Sequence, residues 1–236
     1  MHGGRGMTER TQSKIKFVGL HAHSVAGSIF DGLGFPQEHM EFAYSNGSDA
    51  LALTDHGNMN GLSYQVLHAK KMKAEGKDFK PIFGCEAYFL PSIEKWREEY
   101  DQAMLDKKKA RAAKKAGASG ATVEDEGASK GKNSSVLRRR RHLVLLAQNQ
   151  TGLNNLFKLI SESYTDENFY RFPRMDYKLL KKYGEGIIAS SACLGGVYAG
   201  NYWENREEGP EAVLEAMRET TRNMLDVFGD RWHGEI

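Results

Sequence analysis

The chain has 236 residues, 40% of them hydrophobic and 27% charged, with a formal net charge of +2. That length supports one sizeable core, and so small a net charge does not by itself argue for a nucleic-acid binder. The two cysteines, Cys85 and Cys193, lie far apart in apolar settings, as reduced thiols of a cytoplasmic protein do, and no run approaches the length or apolarity of a membrane span or a signal peptide.

Residues 1–14 are polar and glycine-containing and are expected to be flexible. An apolar run over 15–20, interrupted by Lys16 and Gly19, reads as a half-buried strand that ends in His21-Ala22-His23. Side chains at i and i+2 of a strand leave the same face about 7 Å apart, so His21 and His23 can lean into one site. A glycine-rich loop holding Asp31-Gly32 follows, and Pro36 sits at the first turn of a short helix over 36–44. Residues 49–54 form the next strand and deliver Asp55 and His56 at its C-terminal end.

The spacing predicts a helix over 62–74, with Leu62, Val66, Leu67 and Ala69 toward the core and lysines in its last turns, and with His68 as a structural histidine. Residues 81–90 form a third strand that carries Cys85 and Glu86. From 94 to 141 the chain is an insertion rich in Lys, Arg, Ala, Gly and Ser. Its first part, 94–115, fits a charged helix, and 117–135 lacks any apolar period and is expected to stay mobile. Arg138, Arg139, Arg140 and Arg141 close it and, with nearby lysines, make the strongly basic region; a solvated loop and a phosphate-backbone contact are both open readings.

Residues 142–147 form a fourth strand that opens on His142, followed by a helix from 151 capped by Thr151, with Leu153, Leu156, Phe157 and Ile160 on its buried face. The 170–175 stretch mixes aromatic residues with Arg171 and Arg174, a composition that suits a stacked base and a phosphate. A short helix over 177–183, a strand over 186–189 with Cys193 in the turn after it, an amphipathic helix over 210–228 and the beginning of a strand at 232–236 complete the chain. His, Asp, Glu or Cys thus recurs at or beside the ends of short apolar strands, which is how an α/β barrel assembles a metal site.

Taken together, residues 51–58, 80–88, 142–149 and above all 183–196, with the His21-Ala22-His23 start, resemble the PHP domain at the N-terminus of bacterial DNA polymerase III alpha subunits. The resemblance implies an α/β fold, a distorted (β/α)7 barrel that is C-terminally incomplete here, with the domain running over 15–236. It implies metal ligands at His21, His23, Asp31, His56, Glu86, His142 and Cys193, Glu86 bridging a divalent cluster of two or three Zn or Mn ions, and a catalytic set of His21, His23 and Glu86. The implied activity is metal-dependent phosphodiester hydrolysis, a proofreading 3′ to 5′ exonuclease on a DNA primer end. Arg138, Arg139, Arg140, Arg141, Arg171 and Arg174 are the candidate DNA contacts.

The implied partners are DNA, the remainder of the alpha subunit, on the same or a separate chain, and other replisome subunits. The loop from His23 to Asp31 is about one residue longer than in the family, and the family's final Asp-X-His ligand pair has no counterpart. Without the palm carboxylates the chain by itself does not polymerise nucleotides. Two other readings stand beside the exonuclease: a non-catalytic structural and interaction module of a split polymerase, and a free-standing phosphatase on a small phosphate monoester.

Overall fold

Short apolar strands alternating with amphipathic helices build one curled sheet in the computed structural model, which describes residues 17–115, 136 and 138–236. The expectations for 1–14 and for 117–135 lie outside the described residues. In chain order the elements are α1 (Pro36–Ser45), β1 (Ala50–Leu53), α2 (Leu62–Ala74), β2 (Lys80–Phe89), α3 (Ile93–Lys115), β3 (Arg141–Ala147) and α4 (Gln150–Ser163). They continue with β4 (Phe169–Tyr170), β5 (Phe172–Met175), α5 (Tyr177–Tyr183), β6 (Ile187–Ser190), α6 (Val197–Asn205), α7 (Pro210–Phe228) and β7 (Trp232–His233). Among the described residues no helix is long and apolar enough to cross a membrane.

β2 is the spine. Its first half pairs in parallel with β1, Ala50 opposite Lys80, and its second half runs antiparallel to β3, Glu86 opposite Val144 and Tyr88 opposite His142. Its last residues also meet β5 in parallel, and the sheet continues through β6, antiparallel to β3, to β7, parallel to β6. The expected strand over 15–20 is reduced, within its described residues, to an extended stretch whose Gly19 bridges Leu51 of β1 in parallel. Among the described residues the result is a 7-stranded mixed sheet that pairing does not close, in keeping with an incomplete, distorted barrel of the α/β class.

Strand alternation sorts the two faces. Ala87 and Phe89 of β2 and Leu143 and Leu145 of β3 point to the helices, where they pack with Leu156 and Leu159 of α4, Leu180 of α5 and Met224 and Phe228 of α7. Glu86, Tyr88 and His142, one residue out of phase, therefore face the other way. The helices follow the sequence closely, with small shifts of phase. In α2 the buried residues are Gln65 and Met72, Met72 packing on Met40 and Phe79. Leu67 is two positions from Gln65, about 200° around the helix, and is exposed, against expectation. The cap of α4 is Asn149, whose side chain accepts the Gly152 N–H, so the helix begins before Thr151, and Leu159 rather than Phe157 is buried.

Candidate metal centre

Glu86 is buried at the centre of the inward face, and four imidazoles converge on it. Its Oε1 lies 3.2 Å from His21 Nε2 and 2.9 Å from His142 Nδ1, and its Oε2 lies 2.7 Å from His56 Nδ1 and 3.4 Å from His23 Nε2. Each side chain arrives from a different piece of chain. His21 and His23 follow the stretch beside β1, and their Nε2 atoms are 3.2 Å apart. His56 stands just past β1 and bridges Glu86 in parallel, and His142 comes from the neighbouring strand β3.

Cys193, in the turn after β6, brings Sγ to 3.6 Å from His142 Nδ1 and 3.7 Å from Glu86 Oε1. Its turn is fastened to β3 by the His142 N–H donating to the Gly195 carbonyl. Asp31 reaches in from the glycine-rich loop, 2.7 Å from His56 Nε2. The structure thus gathers His21, His23, Asp31, His56, Glu86, His142 and Cys193 in one place. Ligand atoms of His21, His23 and Glu86, of His23, Asp31 and His56, and of His56, Glu86 and His142 each lie within 4.8 Å of one another.

The electrostatics follow from crowding. Burial works against the Glu86 charge, but hydrogen bonds from His142 and His21 and the adjoining imidazole of His56 outweigh it and hold the carboxyl far below its usual range. Burial likewise disfavours the His21 cation, yet Glu86 and Glu235 raise its pKa to about 9. His56 is raised by Glu86 and Asp31 against its own burial, whereas His23 is lowered by burial and by the neighbouring charge of His56.

The donor set fits a divalent ion. Among the described residues, Glu86 Oε2 and His56 Nδ1 are both buried and make no well-directed hydrogen bond, although only 2.7 Å separates them. Two orphaned polar atoms converging in this way are costly unless a cation lies between or beside them, and imidazole, thiolate and carboxylate together suit zinc or a similar borderline metal.

A supporting layer escaped the sequence reading. Asp55, buried beside His56, accepts from Ser24 N (2.6 Å), Ser24 Oγ (2.8 Å) and Ser28 Oγ (3.0 Å). Ser28 Oγ also accepts the His56 N–H and lies 3.2 Å from His23 Nδ1, so the loop and both histidines are set by one carboxylate. The loop folds this tightly only with glycine at 32, where a Cβ would stand 2.4 Å from the Ser24 carbonyl carbon. Tyr88 was also missed: its ring lies parallel to His56 at 5.8 Å and edge-on to His142 at 5.5 Å. The adjacency of Asp55 to His56 was the only available signal for this layer.

The arginines divide. Arg138 and Arg171 are exposed, Arg139 pairs with Glu99 at 2.9 Å, and the Arg140 guanidinium lies over the rings of Phe172 and Tyr88 at 3.9 and 5.3 Å. Arg141 and Arg174 are corrections to the expected DNA contacts. Arg141 is buried against α6, its donors taken by Asn201, Glu204 and the Val197 carbonyl. Arg174 is buried on Trp96 and donates to the carbonyls of Arg139, Tyr170 and Phe172. Arg141, opposite Phe89, lies on the helix face of the sheet and Arg174, opposite Tyr88, on the other, and both are buried there as internal struts. Cys85 is buried, which pushes its thiol pKa up, and His68 is satisfied by Glu41 at 2.9 Å.

The profile of the PHP domain family matches residues 19–236. The chain is 36% identical over 220 residues to the DNA polymerase III subunit alpha of Aquifex aeolicus, covering 93% of this chain and 15% of that protein. It is 36% identical over 185 residues to the same subunit of Treponema pallidum, covering 78% of this chain and 12% of the relative. With the subunit of Thermus aquaticus the identity is 32% over 226 residues, 95% of this chain and 15% of the relative. The chain therefore spans about one seventh of the length of the first of these relatives. A solved structure assigned as a metal-dependent phosphoesterase of Bifidobacterium adolescentis is similar at a TM-score of 0.37 and 16% identity, over 86% of this chain and 74% of that one.

Proposed function

The chain belongs to the PHP-domain family, and on that premise we propose that it is a metal-dependent phosphoesterase module, the counterpart of the N-terminal part of a bacterial DNA polymerase III alpha subunit. Its substrate is the 3′ end of a DNA primer and its activity a 3′ to 5′ exonuclease serving replication. The observation that carries this reading is the buried Glu86 carboxylate with four imidazoles and a thiol around it and two polar atoms left without partners. His21, His23, His56, Glu86, His142 and Cys193 would hold two zinc or manganese ions, or three where Asp31 also ligates, with His21, His23 and Glu86 as the catalytic set. When bound, such ions supply Lewis acidity toward phosphoryl oxygens and lower the pKa of water.

The chain's own groups do the rest. Glu86 stays ionised at any physiological pH and offers both oxygens to the cluster. Tyr88 walls the site beside His56 and His142, and Arg140, lying over the same ring, is placed to meet a phosphate or a base next to the cleaved bond. Arg138 and Arg171, both exposed, are the further DNA contacts in this reading. The remaining partners in this reading are the rest of the alpha subunit and other replisome subunits, in the cytoplasm.

A second reading, a non-catalytic module that packs against other polymerase parts, is favoured by the exposed Ile29, Phe30 and Leu33 on the loop that carries Asp31. One experiment separates the two. Metal content is measured by elemental mass spectrometry for the wild type and a His21→Ala/His23→Ala double variant, and both are incubated with a labelled primer plus manganese or zinc. Metal and primer shortening lost together support the nuclease; metal without shortening supports the packing module; no metal in the wild type refutes the site.

A further inference from the structure

Among the described residues no backbone pairing joins the segment at 17–20 to β7, and one carboxylate spans the opening. Glu235, just beyond β7, places Oε1 2.7 Å from His21 Nδ1, across a separation of 214 residues. Its other oxygen, Oε2, accepts from Ser190 Oγ at 2.6 Å, and its backbone N–H donates to Ser191 Oγ at 2.9 Å. The side chain is therefore tethered to the end of β6 on one side and holds the His21 ring on the other.

His21 meets the cluster with its opposite nitrogen. Nε2 lies 3.2 Å from Glu86 Oε1 and 3.2 Å from His23 Nε2, while Nδ1 points away to Glu235. A neutral imidazole has one N–H and one lone pair. A carboxylate on Nδ1 keeps the proton there, frees the Nε2 lone pair for a metal and fixes the plane of the ring. Among the described residues, Glu235 is the partner of Nδ1.

We propose that Glu235 is a positioning residue of the metal centre, acting through His21 and anchored by Ser190. It touches no substrate. Its effect is to pre-set the tautomer and orientation of one ligand, and it does so by joining the two open edges of the sheet, so that metal affinity depends on the correct approach of β7 to the first strand segment. The proposal rests on the reading of the Glu86 cluster as a metal site.

The test is a titration of manganese or zinc into the metal-free 236-residue chain, by competition with a chelator, for wild type, Glu235→Gln, Glu235→Ala and Ser190→Ala. Glu235→Ala is expected to bind metal about 10–100-fold more weakly. Glu235→Gln keeps an oxygen for the Nδ1 proton and is expected within about threefold of wild type, and Ser190→Ala falls between the two; melting of the metal-free proteins serves as the folding control. Wild-type affinity in Glu235→Ala overturns the proposal, as does a Glu235→Gln variant as weak as Glu235→Ala. No binding by the wild type instead overturns the metal-site reading on which it rests.

A second measurement needs no variant. In zinc-loaded protein labelled with ¹⁵N-histidine, the His21 ring is expected to carry its proton on Nδ1 and the metal on Nε2; the reverse assignment overturns the proposal.

Discussion

Arg174→Ala discriminates an internal strut from a DNA contact, and its cost follows from the structure. The guanidinium of the fully buried Arg174 donates to three carbonyls, at 3.1 Å to Arg139, 2.9 Å to Tyr170 and 3.0 Å to Phe172. Truncation leaves three buried acceptors without a donor, at roughly 1–3 kcal/mol each, and removes the stacking on Trp96, worth up to about 2 kcal/mol when desolvated. Relief of the buried charge offsets part of this. Burial and the nearby Arg140 and Arg97 charges hold the Arg174 pKa down to about 10 from 12.5, which corresponds to about 3 kcal/mol. The net loss is about 4 kcal/mol, a fall in Tm of roughly 8–16 °C for a domain of this size.

The assay is thermal melting of Arg174→Ala and Arg140→Ala beside fluorescence anisotropy with a short single-stranded DNA. Arg140→Ala is expected to melt within about 2 °C of wild type and to weaken DNA binding with a salt dependence reduced by about one phosphate contact. An Arg174→Ala protein that melts like wild type but loses DNA affinity would refute the assignment of Arg174 to the core.

The other expectations concern the cluster. Glu86→Gln preserves volume but removes the charge shared by four histidines, and metal content is expected to fall by more than about 100-fold while far-ultraviolet circular dichroism is retained; an unchanged metal content would remove Glu86 from the centre. In chelator-treated protein, the His21 pKa is raised from 6.5 to about 9, so its contribution to stability is complete below pH 6.5 and is lost as pH rises through 9. The depressed Glu86 adds stability above 4.5 that is lost toward acid, and the depressed His23 erodes stability below 6.5, so urea midpoints should peak near pH 6.5. A midpoint that is flat or rising between pH 6.5 and 9.5 would contradict this arrangement.

Legibility in the sequence tracked how local each determinant is. His56, Glu86, His142 and Cys193 stand in or just beyond short apolar strands, so the run that predicts the strand also predicts where the side chain emerges. The helices at 62–74, 177–183 and 210–228 were visible to the residue because proline, glycine and period agree at their ends. Arg171 and Arg174 carry the same charge in the same aromatic stretch, but Arg171 sits in the turn between β4 and β5, at a φ of 60°, and is exposed, whereas Arg174 lies within β5 and is buried. Asn149 and Thr151 are both good caps two residues apart, and the choice between them is made by where the Gly152 N–H points. Glu235 had no local signal at all, since its partner is 214 residues away. Its role exists only once the sheet has curled.

The same geometry bears on how many ions the chain can hold. The set His21, His23 and Glu86 and the set His56, Glu86 and His142 share only Glu86, whose two oxygens let it bridge. The set His23, Asp31 and His56 has no histidine of its own; it must borrow both. His56 cannot serve two ions as a neutral imidazole, because one of its nitrogens keeps the proton. Nδ1 and Nε2 each lie 2.7 Å from a carboxylate, Glu86 and Asp31; with Nδ1 given to an ion held by Glu86, the proton stays on Nε2, and Asp31 then orients His56 as Glu235 orients His21. The expected stoichiometry is therefore about two divalent ions per chain, the lower of the two values the resemblance allows. Asp31→Ala should keep it at two and weaken affinity about 10–100-fold. Elemental mass spectrometry against quantitative amino-acid analysis decides the point: three ions in the wild type, or one in Asp31→Ala, would make Asp31 a ligand in its own right and His56 a shared one.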